Sequence, residues 1–254
     1  MKKCICLLTM LVAFLTISAG TAFGEADSHD ALIEKADAYY RAGGLDNYKQ
    51  AIDLYKAVIA EDPEHFEAYW KLARSIREYG MEHQRLGIEG FEDVCREYGQ
   101  KGMAYAQKAI DLNPEHPGGH LYYGINVGIY SDGVGIITAL REGLKDKTQS
   151  SFEKAYELDR YFENGAAILS LGRFWQVVPW PFRDISKSEE FYREFQKTEY
   201  FDKVIEGRIY LAELLKGKRG RRHDPEAKQL LEEALQMDAH PYWHNMAREL
   251  LKGL

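Results

Sequence analysis

The stretch Ala51-Ile-Asp-Leu-Tyr55-Lys-Ala-Val58-Ile-Ala-Glu-Asp-Pro63 decides the fold of this chain. A small residue, an aromatic residue at +4 and an apolar residue at +7 share one face of an α-helix. Asp62-Pro63 then marks the end of that helix. Small side chains let a neighbouring helix approach closely, and the aromatic ring fills the space beside it. The stretch therefore predicts a helix packed tightly against another helix.

The same spacing occurs four more times along the chain. The copies are Gly102/Ala106/Ala109, Thr148/Phe152/Ala155, Ser188/Tyr192/Phe195 and Ala227/Leu231/Ala234. Recurrence of one helical spacing indicates a repeated unit, and repeated helical units stack into a solenoid. Solenoids bind other molecules more often than they catalyse reactions, so the pattern favours a binding function.

Capping and stop signals predict where the helices between these copies begin and end. We expect a first helix capped by Asp30 and ended by Gly43-Gly44, and a third helix that starts at Asp62-Pro63-Glu64. The remaining expectations are an irregular segment over 80–90, a break at Ser131-Asp132-Gly133, a short inserted helix within 134–144 and a capping box that begins at Ser186.

The residues at the matching positions resemble the tetratricopeptide repeat (TPR). The best matches are Tyr69, Leu72 and Ala73, then Gly102, Ala109 and Pro114, then His120, Tyr123 and Gly124. The copies are longer than the ~34 residues of a standard repeat, so they contain insertions. The resemblance implies an all-α, right-handed superhelix of about five degenerate TPR-like helix pairs, with a C-terminal capping helix from Pro241.

The N-terminal residues have the pattern of a secretory signal peptide. Lys2 and Lys3 precede the apolar stretch 5–19, and Ala22-Phe23-Gly24 offers small residues for cleavage. We expect residues 1–24 to be a cleaved signal, residues 25–254 to form the TPR-like domain, and the protein to be periplasmic with no stable membrane span after cleavage. The alternative is an uncleaved anchor helix.

Composition narrows the classes of partner. The 33 basic and 40 acidic residues give a net charge of −7, which argues against a nucleic-acid partner. Cys95 is the only cysteine after residue 24, so no internal disulfide is expected in that part of the chain. We interpret Cys95 as a small buried apolar residue.

A narrower resemblance rests on two short stretches. The run from Tyr123 to Gly128, and Leu171-Gly172-Arg173-Phe174-Trp175 leading to Val178-Pro179-Trp180-Pro181, are similar to the periplasmic T components associated with TRAP-type transporters. That family implies a non-enzymatic helical protein working beside a periplasmic solute-binding subunit. This chain lacks the lipid-anchor cysteine that members of that family often carry.

The aromatic segment 174–183 is the leading candidate for a binding surface. Apolar area is expected from Trp175, Trp180 and Phe182, and an anion contact from Arg183. Tyr69 and Tyr123 are expected to line the same concave surface. The alternative is that these aromatic residues form a core where one helix pair meets the next.

Three other segments have weaker functional interpretations. They are the Gly-rich residues 124–135, the basic run 216–223, and His240 with His244, which are four residues apart as in some metal sites. No motif for a nucleophile, a phosphate loop or a cofactor is present. We expect a non-enzymatic binding protein that contacts a solute-binding subunit and holds a small apolar or anionic ligand. The alternatives are a general protein-binding scaffold and an enzyme of unrecognised type.

Overall fold

The computed structural model describes residues 28–218 and 220–254, and there the chain is all helical, as predicted. The expected signal peptide lies outside these residues. In chain order the helices are α1 (His29–Ala42), α2 (Leu45–Glu61), α3 (Phe66–Arg85), α4 (Phe91–Leu112), α5 (Pro117–Val134), α6 (Ile136–Arg141), α7 (Leu144–Asp159), α8 (Phe162–Val177), α9 (Ile185–Gln196), α10 (Ile205–Lys216), α11 (Asp224–Ala234) and α12 (Pro241–Leu251).

Antiparallel helix pairs stack along the chain in sequence order. The pairs are α1/α2, α3/α4, α5/α7, α8/α9 and α10/α11, with α6 inserted between the members of the third pair and α12 packed on the last. All fifteen residues of the repeated spacing are buried. They lie on α2, α4, α7, α9 and α11, the second helix of each pair, so the repeat pattern is confirmed.

Glycines on the first helices receive the large residues of the second helices. A Cβ at Gly124 of α5 would lie 2.5 Å from the Phe152 ring of α7, and one at Gly172 of α8 would lie 2.4 Å from the Tyr192 ring of α9. Both aromatic residues hold the +4 position of the repeat. Tight packing leaves no room for a methyl group there, so close helix approach is built into the repeated unit.

One predicted interruption starts later than expected and another is absent, because glycine packs inside a continuing helix. The irregular segment expected over 80–90 is confined to 86–90, since α3 runs on to Arg85 through Gly80, whose missing side chain admits Ile129 of α5. Helix α5 continues past Gly133, where a Cβ would lie 2.4 Å from the backbone nitrogen of Arg96. Helix α5 ends one residue before Gly135, which has a φ of 85° that favours glycine.

Several predicted helix caps are also wrong. Ser28, not Asp30, caps α1, and Asp184, not Ser186, caps α9 by accepting hydrogen bonds from the backbone N–H groups of Ser186 and Lys187 at 3.0 Å. Asp62 ends α2, and α3 starts four residues later at Phe66, with His65 as its cap.

Histidine caps recur at three helix starts. The Nδ1 atoms of His65, His116 and His240 accept hydrogen bonds from backbone N–H groups at the starts of α3, α5 and α12, at 3.3, 3.1 and 3.2 Å. Each therefore satisfies a backbone donor that the helix itself leaves unpaired. Burial lowers the pKa of His116, which favours the neutral ring that can accept this bond.

Candidate functional site

The inner face of the superhelix encloses a cavity of about 820 Å³. Its walls come from α3, α5, α6, α7, α8, α10 and α12. Helix α12 and its cap contact α3. His240 Nε2 lies 3.6 Å from Glu82 Oε1, and the Arg85 guanidinium stands over the Trp243 ring at 5.9 Å. The last helix thus meets the third one across the cavity.

One part of the cavity wall is apolar. It is formed by α5, α6, α7 and α8 and includes Val127, Ala139, Leu140, Leu144, Phe152, Phe174, Val177 and Val178. Gly128 lies on the same wall, and a Cβ at this position would meet no atom within 4 Å. Gly128 therefore faces open space.

Charged residues line the rest of the wall. Arg77 pairs with Glu78, and Arg85 behind them donates to Glu78 at 3.0 Å. The two guanidinium groups hold the pKa of Glu78 below its usual value against the opposing effect of burial. Arg173 of α8 bonds to Glu213 of α10 and stands over the Tyr210 ring at 4.5 Å. These cations are therefore engaged by carboxylates and an aromatic ring of the protein itself.

Asp132 and Glu206 have a different environment. Asp132 lines the cavity and is exposed by accessible surface, yet the protein atoms around it exclude enough water to raise its pKa to about 6. Burial also raises the pKa of Glu206, at the start of α10. Within the described part of the chain, neither carboxylate forms an ion pair, because no basic nitrogen lies within 4 Å of it. Both acids thus face the cavity without a direct counter-ion.

A left-handed backbone segment forms another part of the wall. Glu163, Asn164 and Gly165 have φ values of 49°, 60° and 76°, and the first two line the cavity. Such values are unfavourable for residues with a side chain. They accompany a 3.0 Å ion pair between Glu163 and Arg74 of α3, which holds the start of α8 against the first two helix pairs.

The structure divides the six residues expected from sequence into two groups. Tyr69, Tyr123 and Trp175 are buried in the main core cluster. Trp180 is 86% exposed, Phe182 is 41% exposed, and the Nε of the exposed Arg183 donates to the carbonyl oxygen of Val178. None of the six lines the cavity.

Sequence reasoning placed the lining residues one position too far along α5 and α8. All four aromatic residues belong to the main core cluster, but Tyr122 and Phe174 also line the cavity, whereas their neighbours Tyr123 and Trp175 do not. Lys147 stands over the Tyr123 ring and Lys187 over the Trp175 ring, both at 4.3 Å. Gly128 is the sequence signal closest to the cavity, since a glycine on a helix face needs a structural reason.

The other candidate segments have structural roles. His240 caps α12 and His244 Nε2 lies 2.9 Å from the Met237 carbonyl oxygen. Lys216 donates to the Leu250 carbonyl oxygen at 2.8 Å, and Lys218 pairs with Glu189. Cys95 is buried, as interpreted. Among residues 28–218 and 220–254, no group of three His, Cys, Asp or Glu side chains is placed to hold a metal ion.

Over the described ranges, no helix is both long and apolar enough to cross a bilayer.

Comparison with solved structures finds similar helical proteins. A thermophilic TPR protein of Thermus thermophilus superposes with a TM-score of 0.60 at 16% sequence identity, covering 89% of this chain and 98% of that one. The MamA protein gives a TM-score of 0.48 at 14% identity, covering 82% of this chain and 90% of that one. At 16% identity the Thermus protein supports a common fold, which is the TPR-like superhelix.

Sequence comparison identifies the family. No curated protein matches the chain significantly. The family model for regulator of microtubule dynamics protein 1-3 matches residues 32–177, more than half of the chain and the part that runs from α1 to the end of α8. Helices α10 and α12, which complete the cavity, lie beyond the matched region. The chain therefore belongs to the regulator of microtubule dynamics protein 1-3 family.

Proposed function

We propose that this chain is a non-enzymatic binding protein that takes a segment of a partner protein into its cavity. The observation that carries the proposal is the cavity of about 820 Å³, bounded by the first helices of the repeat and by α12. Its size suits one drug-sized ligand or a few side chains of a peptide segment. Helical-repeat folds use such concave surfaces for binding, and grooves of this kind accept amphipathic segments.

A substitution at Gly128 tests the role of the cavity. Gly128→Phe projects a ring into open space from a helical position, so the fold should survive while the cavity is partly filled. Ala57→Phe is the matched control, because Ala57 is exposed on α2 and does not line the cavity. We expect proteins crosslinked to the unsubstituted chain and to Ala57→Phe to be lost from Gly128→Phe.

The decisive comparison uses the same crosslinked fractions analysed by mass spectrometry, with circular dichroism to verify folding. If folded Gly128→Phe captures the same proteins as the unsubstituted chain, the cavity is not the binding surface and the proposal fails.

We further propose that the partner is a periplasmic solute-binding subunit and that the protein is an accessory to TRAP-type solute uptake. The resemblance of segments 123–128 and 171–181 to T components supports this, as does the signal-like pattern of residues 1–24. Fractionation should place the tagged protein in the periplasm and crosslinking should recover a solute-binding subunit. Recovery of only assembly factors or envelope enzymes would favour the general scaffold.

A small apolar ligand is the second candidate occupant, favoured by the apolar wall from Val127 to Val178. Native mass spectrometry of the protein purified without detergent should then show a bound mass that denaturation releases. An unliganded mass from every preparation would favour the peptide-binding alternative.

A further inference from the structure

We infer that the group bound in the cavity is cationic: an amine or guanidinium attracted to Asp132 and Glu206, the two carboxylates of the wall that have no ion-pair partner among the described residues. The inference rests on the proposed function and makes it more specific, because it names the chemistry of the ligand or of the partner's side chain. It uses Asp132, which lies in the Gly-rich segment 124–135, and Glu206 of α10, which was not expected from sequence to form part of a site.

The pairing of charges around the cavity carries the argument. Of the basic residues at the wall, Arg77 pairs with Glu78, Arg173 with Glu213 and Lys145 with Asp146. The acid Glu163 is likewise held by Arg74 at 3.0 Å. Asp132 and Glu206 are left among the wall residues that the structure describes. Asp132 has longer-range attraction from Arg77 and Arg173, and Glu206 from Arg77 and Arg85.

Closely surrounded carboxylates without counter-ions are unfavourable when ionised, and the raised pKa of each acid has this cause. A cation that enters the cavity stabilises the ionised form of the carboxylate it approaches and gains charge-assisted hydrogen bonds with it. An anion beside either carboxylate would meet a like charge. It would also have to compete for Arg77 and Arg173 with the carboxylates they already bind.

Aromatic rings complete the environment that a cation favours. Tyr210 lies one helical turn after Glu206 on α10, and Tyr242 of α12 lines the same cavity as Asp132. Both rings line the cavity, together with Trp243. The Arg173 guanidinium already stands over the Tyr210 ring at 4.5 Å, which shows that this wall accommodates a cation on an aromatic face.

Matched eight-carbon probes test the charge preference directly. We expect n-octylamine to bind the full chain at pH 7.5 more tightly than 1-octanol, by about tenfold or more, and octanoate to bind more weakly than either. Isothermal titration calorimetry measures all three. Equal binding of the three probes, stronger binding of octanoate, or no binding of octylamine would overturn the inference.

Neutral isosteres locate the effect. Glu206→Gln and Asp132→Asn should each lower octylamine affinity by about tenfold and leave octanol affinity unchanged, since octanol contacts the apolar wall. Glu89→Gln is the control, because Glu89 is exposed and does not line the cavity. An unchanged octylamine affinity in the Asp132→Asn/Glu206→Gln double variant would also overturn the inference.

Two peptides distinguish the sources of such a cation. Ac-Ala-Leu-Lys-Leu-Ala-NH₂ and its norleucine counterpart differ only in the charged group. Preference for the lysine peptide, lost in the double variant, supports a basic segment of a partner protein. Preference for octylamine with no binding of either peptide supports a free organic amine and contradicts the peptide part of the proposed function. If Gly128→Phe abolishes octanol binding while no charge preference is seen, the cavity is the site and only the cation inference fails.

Discussion

At the scale of single residues, two glycines of α5 have opposite surroundings: one is closely packed and the other faces the cavity. Gly124 and Gly128 are four residues apart on the same helix, yet a methyl group at Gly124 would strike Phe152 and one at Gly128 would meet open space. The sequence presents them as equivalent members of one Gly-rich stretch. The difference arises because α7 covers one position and the cavity opens at the other.

Replacing each glycine by alanine should therefore have opposite effects on stability. Gly128→Ala should raise the free energy of unfolding by about 0.5–1 kcal/mol, because alanine loses less backbone entropy in a helix. Gly124→Ala should lower it by about 1–3 kcal/mol, because Phe152 would have to move. Urea denaturation followed by circular dichroism measures both, and a stabilising Gly124→Ala would contradict the close packing of α5 against α7.

The Asp132 carboxylate predicts a pH dependence of stability. Its pKa of about 6 in the folded protein exceeds the ordinary 3.8, so the folded state binds more protons than the unfolded state between these values. This residue therefore makes the free energy of unfolding fall as pH rises from about 4 to 6. Asp132→Asn should remove that contribution and stabilise the protein at pH 7, by at most about 1 kcal/mol because the cavity admits water.

Thermal unfolding of Asp132→Asn and the parent chain at pH 4 and pH 7 is the measurement. The variant should gain in melting temperature at pH 7 relative to pH 4. An equal change at both pH values would show that the carboxylate is not perturbed by its surroundings.

At the scale of the helices, a polar cluster joins α1, α3 and α8. Asp37 of α1 accepts hydrogen bonds from Lys71 and Tyr55 at 2.6 Å and from Arg74 at 2.8 Å, and Arg74 also holds Glu163. The Arg74 guanidinium lies 3.8 Å from the centre of the Tyr40 ring. Although burial opposes it, the bonds from its partners keep the pKa of Asp37 below its usual value. One arginine thus connects helices that are far apart in sequence.

Arg74→Met should remove this connection. The variant leaves Glu163 and part of Asp37 without a partner in a half-buried site, which costs about 3–5 kcal/mol when a buried pair is broken. Chemical denaturation measures the loss. Arg96→Met is the control, since the Arg96–Asp93 pair is largely exposed and should change the free energy of unfolding by less than about 1 kcal/mol. Similar losses in both variants would refute a structural role for the cluster.

Helix positions were largely predictable from sequence, whereas their caps were not. Apolar spacing is repeated over many residues, so α2, α4, α7, α9 and α11 follow from it. A cap depends on whether a single side-chain acceptor reaches a free N–H group, and acidic residues near a helix start compete for that position. His65 and Asp184 hold the cap positions of α3 and α9, in place of the residues favoured by sequence. The reason is that the chain has extended or turn geometry at His65 and Asp184 and becomes helical directly after them.

At the scale of the whole molecule, the cavity depends on a contact that no local pattern predicts. The TPR-like superhelix follows from the repeats. The contact between α12 and α3, however, depends on the angle by which each helix pair is rotated relative to the preceding pair. The rotation of α5 about its axis also decides that Tyr122, not Tyr123, lines the cavity. The architecture was therefore predictable from sequence, whereas the residues that line the cavity were not.

Two tryptophans provide a prediction at this scale. Trp243 of α12 is buried in the C-terminal core, and Trp243→Ala should lower the free energy of unfolding by about 3–5 kcal/mol. Trp180→Ala is the control, because the exposed Trp180 should change it by no more than about 0.5 kcal/mol. If the two variants prove equally stable, α12 is not docked as described.

The contact between α12 and α3 has a consequence for how the protein unfolds. An open solenoid behaves as a one-dimensional array in which each repeat interacts only with its neighbours, so terminal repeats can fray independently. Here the C-terminal helix is also held by Glu82 and Arg85, about 160 residues earlier in the chain. Fraying must break this long-range contact as well as the local ones, so the last repeat should share the cooperative unfolding of the central repeats, and amide exchange in α11 and α12 should be as slow as in α3.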